Sequence, residues 1–248
     1  FTPVCMRIMD MSPFESSPLE LSEKTILEPR FLEELEQREI SFRGFNWQAF
    51  ILRGASFDGT LLPMDNLYGR SHLYQINKLV IRPYSRGGVL QFINKDSYLS
   101  VQRFHNEWLI HSHLYRKGFP TTKPMGYAYR PQKLGFYQGL YFSESVGAKP
   151  WPTSWSLNQG EANNLVINIL TLCKWGIWSP DLNATNILKD PSAGILFIDW
   201  DRARVSAVKP EDLLASYKRR LLRSLEKLHA PLEIRSIISN ITWMDPYV

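Results

Sequence analysis

Three side chains constrain most of what this sequence can be: Asp181, Asn186 and Asp199, spaced five and then thirteen residues apart. The first two lie in Ser179-Pro-Asp-Leu-Asn-Ala-Thr-Asn186, and the third follows the apolar run Ile195-Leu-Phe-Ile198. A short apolar run reads as a buried strand, so the fold has to bring a loop and the end of a strand to one place. Phosphoryl transfer needs such a set. One aspartate takes the proton of the attacking hydroxyl, while an asparagine and a second aspartate hold the Mg²⁺ that bridges the ATP phosphates. Asp181 is therefore the candidate catalytic base. Asn186 and Asp199 are the candidate metal ligands, hard oxygen donors of the type Mg²⁺ accepts. Taken singly, Asp181 also reads as a helix-capping turn residue and Asn186 as an ordinary loop residue; it is the register of the three that points to chemistry.

At 248 residues, with 44% hydrophobic and 21% charged side chains, the chain has the composition of a globular fold. The net charge of +5 suits an anionic substrate or membrane surface without singling out nucleic acid, and no nucleic-acid partner is expected. Cys5 and Cys173 sit in unlike contexts and suggest neither a disulfide framework nor a zinc site. No stretch reaches the roughly 20 apolar residues of a membrane span, and the N-terminus lacks a secretory pattern. The expected location is cytoplasmic, with room for a peripheral place on a membrane.

Residues 1–24 read as an irregular, proline-bearing arm, and Glu28 to Arg38 as a short amphipathic helix through Phe31, Leu32 and Leu35. Ile40 to Arg53 alternates like a strand. Leu73–Ile76 and Leu79–Arg82 read as a hairpin turning at Asn77-Lys78. Leu99 to Lys117 reads as a helix closed by Gly118 and Pro120, followed by strands at Met125–Tyr129 and Phe136–Val146. Gly147-Ala-Lys-Pro-Trp-Pro152 breaks regularity and suits a hinge. Helices are then expected at Glu161–Trp175 and Glu211–Leu228. This order predicts an α+β, two-lobed, protein-kinase-like fold with a β-rich N-lobe and a mainly helical C-lobe. The divisions are an N-terminal extension of open role (1–60), the N-lobe (61–146) and the C-lobe (147–248).

Four segments carry a resemblance to a known family: Ile81-Arg-Pro-Tyr-Ser-Arg-Gly-Gly88, Asp181-Leu-Asn-Ala-Thr-Asn-Ile-Leu188, Phe197-Ile-Asp-Trp-Asp-Arg202 and Leu222-Arg-Ser-Leu-Glu-Lys-Leu228. In that order they resemble the arginine-rich strand, catalytic loop, metal segment and C-terminal helix of the 3-deoxy-D-manno-octulosonic acid (Kdo) kinases of lipopolysaccharide core biosynthesis. The resemblance implies ATP- and Mg²⁺-dependent phosphorylation of the 4-hydroxyl of Kdo on a lipid A precursor. It also implies peripheral attachment to the cytoplasmic side of the cell inner membrane. A kinase of a heptose, aminoglycoside or other sugar would use the same three residues. A pseudokinase that binds nucleotide or lipopolysaccharide without catalysis is the rival outside enzymes.

Other residues keep two readings each. Arg82 stands where protein kinases carry a phosphate-binding lysine, and arginine can do that work bidentately; it also reads as a surface residue of an edge strand. Glu107 is its natural ion-pair partner or an exposed helix charge. Gly69, in Gly69-Arg-Ser71, is a reduced glycine loop over the phosphates or a plain turn. Asp201 supports the metal or, as the favoured reading, pairs with Arg202 or Arg204. Lys218, Arg219, Arg220, Arg223 and Lys227 make a basic helix face, either solvated or attracted to lipid phosphates. Trp151 and Trp155 are core or interfacial. Ser179-Pro180 replaces the usual His-Arg before the catalytic aspartate, and Asn183 replaces the protein-kinase lysine two residues after it. The first argues against control through a phosphorylated activation loop, and the second disfavours a protein substrate more than it disfavours catalysis.

Overall fold

Alternation of large and polar side chains builds a seven-stranded antiparallel sheet, because successive residues of a strand face opposite sides. The computed structural model describes residues 30–64, 72–85 and 97–243. Strands β1 (Leu35–Phe42), β2 (Phe45–Leu52), β3 (Leu62–Met64), β4 (Leu73–Ile76), β5 (Leu79–Pro83), β6 (Pro124–Pro131) and β7 (Tyr137–Glu144) lie in the order β1-β2-β6-β7-β5-β4-β3. One face buries Trp47, Ile51, Leu79, Ile81, Ala128, Leu140 and Phe142. Tyr127 and Tyr141 look the other way, into a core with Tyr84, Tyr98, Phe104 and Trp108. Two of these apolar residues, Phe104 and Trp108, belong to the helix Gln102–Arg116.

Two expectations change at the N-terminal side. The predicted helix Glu28–Arg38 is one helical turn, α1 (Arg30–Glu33), and the chain is already a strand at Leu35, which pairs with Leu52. The local spacing of Phe31, Leu32 and Leu35 fits a helix, but pairing across the sheet decides the outcome. The single strand expected from Ile40 to Arg53 is instead part of a hairpin. Arg43 and Gly44, both with positive φ (54° and 77°), turn the chain between Phe42 and Phe45. The extension drawn at 1–60 thus contributes two strands to the same sheet as residues 61–146. The Leu73–Arg82 hairpin forms as expected, with Ile76 opposite Leu79.

Gly126 marks a bulge where β6 crosses between β2 and β7. Its φ is 139°, and an added Cβ would stand 2.2 Å from the Phe50 carbonyl oxygen. No rotamer change relieves a clash with backbone, so Gly126→Ala is expected to lose about 3 kcal/mol of stability. Urea unfolding of the two proteins measures this; equal midpoints would mean that the strand shifts freely there.

Three long helices follow the expected spans closely, α2 (Gln102–Arg116), α3 (Gln159–Lys174) and α4 (Pro210–Lys227), and a short one that was not expected, α5 (Leu232–Ser239), follows them. Gly118, at φ 73°, ends the turn after α2. A capping box starts α3: Asn158 accepts from the Glu161 N–H, and the Glu161 carboxylate accepts from the Asn158 N–H. Leu165, Ile169 and Leu172 of α3 pack with Leu213, Tyr217, Leu221 and Leu225 of α4 and with Ile234 and Ile238 of α5. Ile110 and Leu114 of α2 enter this second core, so α2 packs in both halves. Trp151 is fully buried and belongs to the core, and Trp155, partly buried, packs against it edge-on at 5.4 Å. The irregular stretch before Trp151 contains a short strand, β8 (Lys149–Pro150), paired with β10 (Ile187–Asp190).

Candidate active site

Strand register brings Asn186 and Asp199 together. β10 pairs with β11 (Gly194–Phe197), placing Ile187 opposite Phe197, and the Ile198 N–H donates to the Asn186 carbonyl at 3.0 Å. Residues just before β10 and just after β11 must therefore meet. Asp181 enters from the loop that follows β9 (Ile177–Trp178), itself paired with β12 (Arg204–Val205). The Asn186 amide donates to the Asp181 carbonyl at 2.8 Å and approaches the Asp199 carboxylate at 3.4 Å. The three predicted residues share one cleft of about 1290 Å³ between the sheet and the helical half.

Asn183 organises the loop between them. Its amide donates to the Asp181 carbonyl at 2.9 Å, and its Oδ1 accepts from the Thr185 N–H at 2.8 Å and from the Thr185 hydroxyl at 2.5 Å. The side chain is spent on the short 3₁₀ turn Ala184–Asn186. That is a different task from the phosphate-binding lysine of protein kinases at this position.

On β5, Ile81 faces the sheet's apolar side, so its neighbour Arg82 must face α2. There Arg82 Nη2 donates to both Glu107 oxygens, at 2.5 and 2.7 Å, and Nη1 lies 3.3 Å from Asp199 Oδ1. The guanidinium also sits over the Tyr84 ring at 4.9 Å, and the Tyr84 hydroxyl donates to Glu107. Glu107 is buried, not the exposed charge of its alternative reading. Burial pushes its carboxyl up, against the opposing pull of Arg82. Burial also works against the Arg82 charge, but Glu107 and then Asp199 outweigh it and raise the guanidinium above its ordinary value.

Asp199 holds φ 67°, in the left-handed region. Such backbone costs on the order of 1–3 kcal/mol for most residues, and Asn and Asp bear it best. Its Oδ1 is buried and accepts no hydrogen bond among the described residues. Desolvation raises its carboxyl, with Arg82 opposing. Asn186 spends its amide N–H groups on Asp181 and Asp199, which leaves its Oδ1 as an acceptor. One carboxylate and one amide oxygen beside a cleft suit Mg²⁺, which is usually held by few protein ligands together with substrate phosphates. No cluster of three or more His, Cys, Asp or Glu suited to a metal is found among the described residues.

Asp181 departs from an open base. Arg202 grips it bidentately, Nε to Oδ2 at 2.6 Å and Nη2 to Oδ1 at 2.5 Å, and Arg220 Nη2 stands 3.4 Å from Oδ1. Burial raises the carboxyl, but the Arg202 bonds and charge, then Arg220, outweigh it and hold it below the usual range. Arg202 is therefore not the partner of Asp201. That partner is Arg103 of α2, Nε to Oδ1 at 2.6 Å. The structural reading of Asp201 holds with a different arginine, because helix α2 crosses the end of the metal segment. Gly69 and Arg86 lie outside the described residues.

Sequence reasoning missed His111. Its Nε2–H donates to the Thr122 carbonyl at 2.7 Å, so its Nδ1 accepts from the Tyr141 hydroxyl at 2.8 Å. Thr121 lies 3.0 Å from the same Nε2, donates to the Phe197 carbonyl and accepts from the Trp200 indole. The network ties α2 to both sides of Asp199. Burial lowers His111 to about 3, so it stays neutral in the fold while the unfolded chain takes a proton below about 6.5. Its stabilising contribution is complete above that value and fades as the pH falls towards 3. At pH 5 the loss is about 2 kcal/mol, or roughly 4–8 °C in Tm. Thermal melts between pH 8 and 5 should show a flatter acid side for His111→Gln. Parallel curves would assign the acid loss to other groups.

The sequence comparisons agree with the motif reading. One relative, "3-deoxy-D-manno-octulosonic acid kinase" of Xylella fastidiosa (strain M12), is 26% identical over 166 residues, covering 64% of this chain and 66% of that one. A second of the same name, from Xanthomonas oryzae pv. oryzae (strain PXO99A), is 27% identical over 188 residues, covering 68% and 64%. The chain is similar in sequence to the Kdo kinases. It spans just under two thirds of the length of these Kdo kinases. No family model matches it. Among solved structures, "WaaP in complex with acyl carrier protein" aligns at 11% identity and TM-score 0.42, over 86% of this chain and 80% of that one. The bifunctional kinase-methyltransferase WbdD aligns at 12% and 0.43, over 83% and 50%.

Proposed function

We propose that this chain transfers the γ-phosphoryl group of ATP to the 4-hydroxyl of a Kdo sugar on a lipid A precursor. The observation that carries the reading is the meeting of Asp181, Asn186, Asp199 and the Arg82–Glu107 pair in one cleft. The sugar is suggested by the similarity to proteins named 3-deoxy-D-manno-octulosonic acid kinase; the 4-position is what the motif resemblance implies.

Asp181 orients the acceptor hydroxyl and takes its proton as the oxygen–phosphorus bond forms. The bond from the γ-phosphorus to the bridging oxygen breaks, and ADP leaves with the electron pair. Asn186 and Asp199 would hold Mg²⁺, which neutralises charge on the β- and γ-phosphates when bound. Arg82, already fixed by Glu107, supplies a forked donor to the nucleotide phosphates. No helix of the described residues is long and apolar enough to cross a membrane. A lipid-linked acceptor would place the work on the cytoplasmic face of the inner membrane, with the protein held peripherally.

Mass spectrometry of the lipid after incubation with ATP and Mg²⁺ tests this. A mass gain of one phosphate, located on Kdo by fragmentation, is the expected result. Transfer to a heptose-bearing core alone would replace the acceptor in this reading.

A further inference from the structure

Helix α4 turns two unlike faces. Leu213, Tyr217, Leu221 and Leu225 enter the core, while Arg219, Arg220, Arg223 and Lys227, at helical spacing, line the cleft that holds Asp181. The basic residues of this helix are thus not simply a solvated face. Lys218 alone turns aside, donating to the Ile241 carbonyl at 2.8 Å. Three bonds grip the loop on either side of Asp181. The Tyr217 hydroxyl accepts from the Ser179 N–H at 2.9 Å and donates to the Ile177 carbonyl at 2.7 Å, and Ser224 accepts from the Ala184 N–H at 3.1 Å. The basic face is thereby fixed beside the candidate base.

Arg202 adds a fifth cation to this wall. Asp181 pairs with Arg202 and Arg220, whereas Arg219, Arg223 and Lys227 have no ion-pair partner among the described residues. Asp201, the other carboxylate nearby, is taken by Arg103. Arg220 Nε is buried and lacks a hydrogen-bond partner among the described residues. A buried donor within a surplus of positive charge is stabilised by an anion that reaches it.

We propose that this wall is a subsite for an anionic group of the acceptor, a carboxylate or phosphate near the reacting hydroxyl, and that filling it draws Arg202 away from Asp181. The inference rests on the phosphotransfer reading above. Arg202 engages both Asp181 oxygens, so a hydroxyl that is to bond with Asp181 has to displace it. A carboxylate or phosphate offers Arg202 the same forked geometry that Asp181 does. An acceptor without the anion leaves the base covered.

The test compares the wild type with an Arg219→Ala/Arg223→Ala double variant and its Lys/Lys counterpart. Arg219 and Arg223 are exposed, so folding is not at stake. Steady-state kinetics use three acceptors: the Kdo–lipid A precursor, the same molecule with its carboxylate reduced to an alcohol, and the same molecule stripped of phosphates. For the intact acceptor, the alanine variant should raise KM about tenfold or more, with KM for ATP within twofold and partial recovery by lysine. The trimmed acceptor on which wild type and variant no longer differ identifies the anion. An unchanged acceptor KM in the alanine variant overturns the subsite. If the wild type phosphorylates none of the three, the proposed function fails instead. Thermal shift with inorganic phosphate then decides the subsite: a Tm rise in the wild type that shrinks in the alanine variant supports it, and equal or absent rises in both overturn it.

Discussion

Asp181→Asn is expected to lower kcat by about 10²- to 10⁴-fold, the usual worth of a positioned proton acceptor. The isosteric amide keeps the contacts within the loop but cannot take the hydroxyl proton. It also leaves Arg202 and Arg220 without their carboxylate. Asp181 and Arg202 retain 21% and 55% of their side-chain exposure, so losing this partly solvated pair should change stability by no more than about 1 kcal/mol. Single-turnover transfer from labelled ATP, beside a thermal melt, separates the two effects. A kcat within threefold of wild type would take proton transfer away from Asp181, and a collapsed melt would make its role structural.

Asp199→Asn should show the opposite sign in stability and a comparable loss in activity. Weakening the hold on a metal that neutralises phosphate charge removes several kcal/mol of transition-state stabilisation, about 10³-fold in kcat/KM. The native carboxylate, however, is a liability to the fold. It is desolvated, its buried Oδ1 has only the 3.3 Å ion pair with Arg82 and no hydrogen bond among the described residues, and it sits at φ 67°. Asparagine tolerates that backbone and carries no charge, and Arg82 keeps Glu107 as its partner. The expected result is a Tm equal to or above that of the wild type in a nearly inactive protein. A Tm several degrees lower would make Asp199 a structural member of the network.

The parts of the site written in local spacing were legible in the sequence. Asp181, Asn186 and Asp199 share one stretch of chain whose two short strands fix their register. Arg82 was legible only as the counterpart of the protein-kinase strand lysine, and Glu107 as its natural partner midway along a helix, each with a second reading left open. Partnerships across the chain were not legible. Arg103 meets Asp201 across 98 residues, and Arg202 covers Asp181 because the turn after Asp199 doubles back to the loop. Nothing in the neighbouring residues announces either pair. Leu35 shows the same limit in the fold, since its helical spacing yields to a strand partner at Leu52. His111 could have been found only as a histidine on the buried stripe of its helix, where an imidazole needs polar partners.

Helix α2 carries one further meaning. It contributes Phe104 and Trp108 to the core under the sheet, and Ile110 and Leu114 to the core of the helical half. Its polar side chains fasten Arg82 and Asp201 directly, and His111 meets Thr121, which bonds the residues flanking Asp199. The break in regularity at 147–152 therefore does not separate two independent cores, because α2, which precedes it, packs into both. A chain severed there would strand half of this helix's apolar surface in water. Inheritance and engineering alike must treat the two lobes as a single cooperative object.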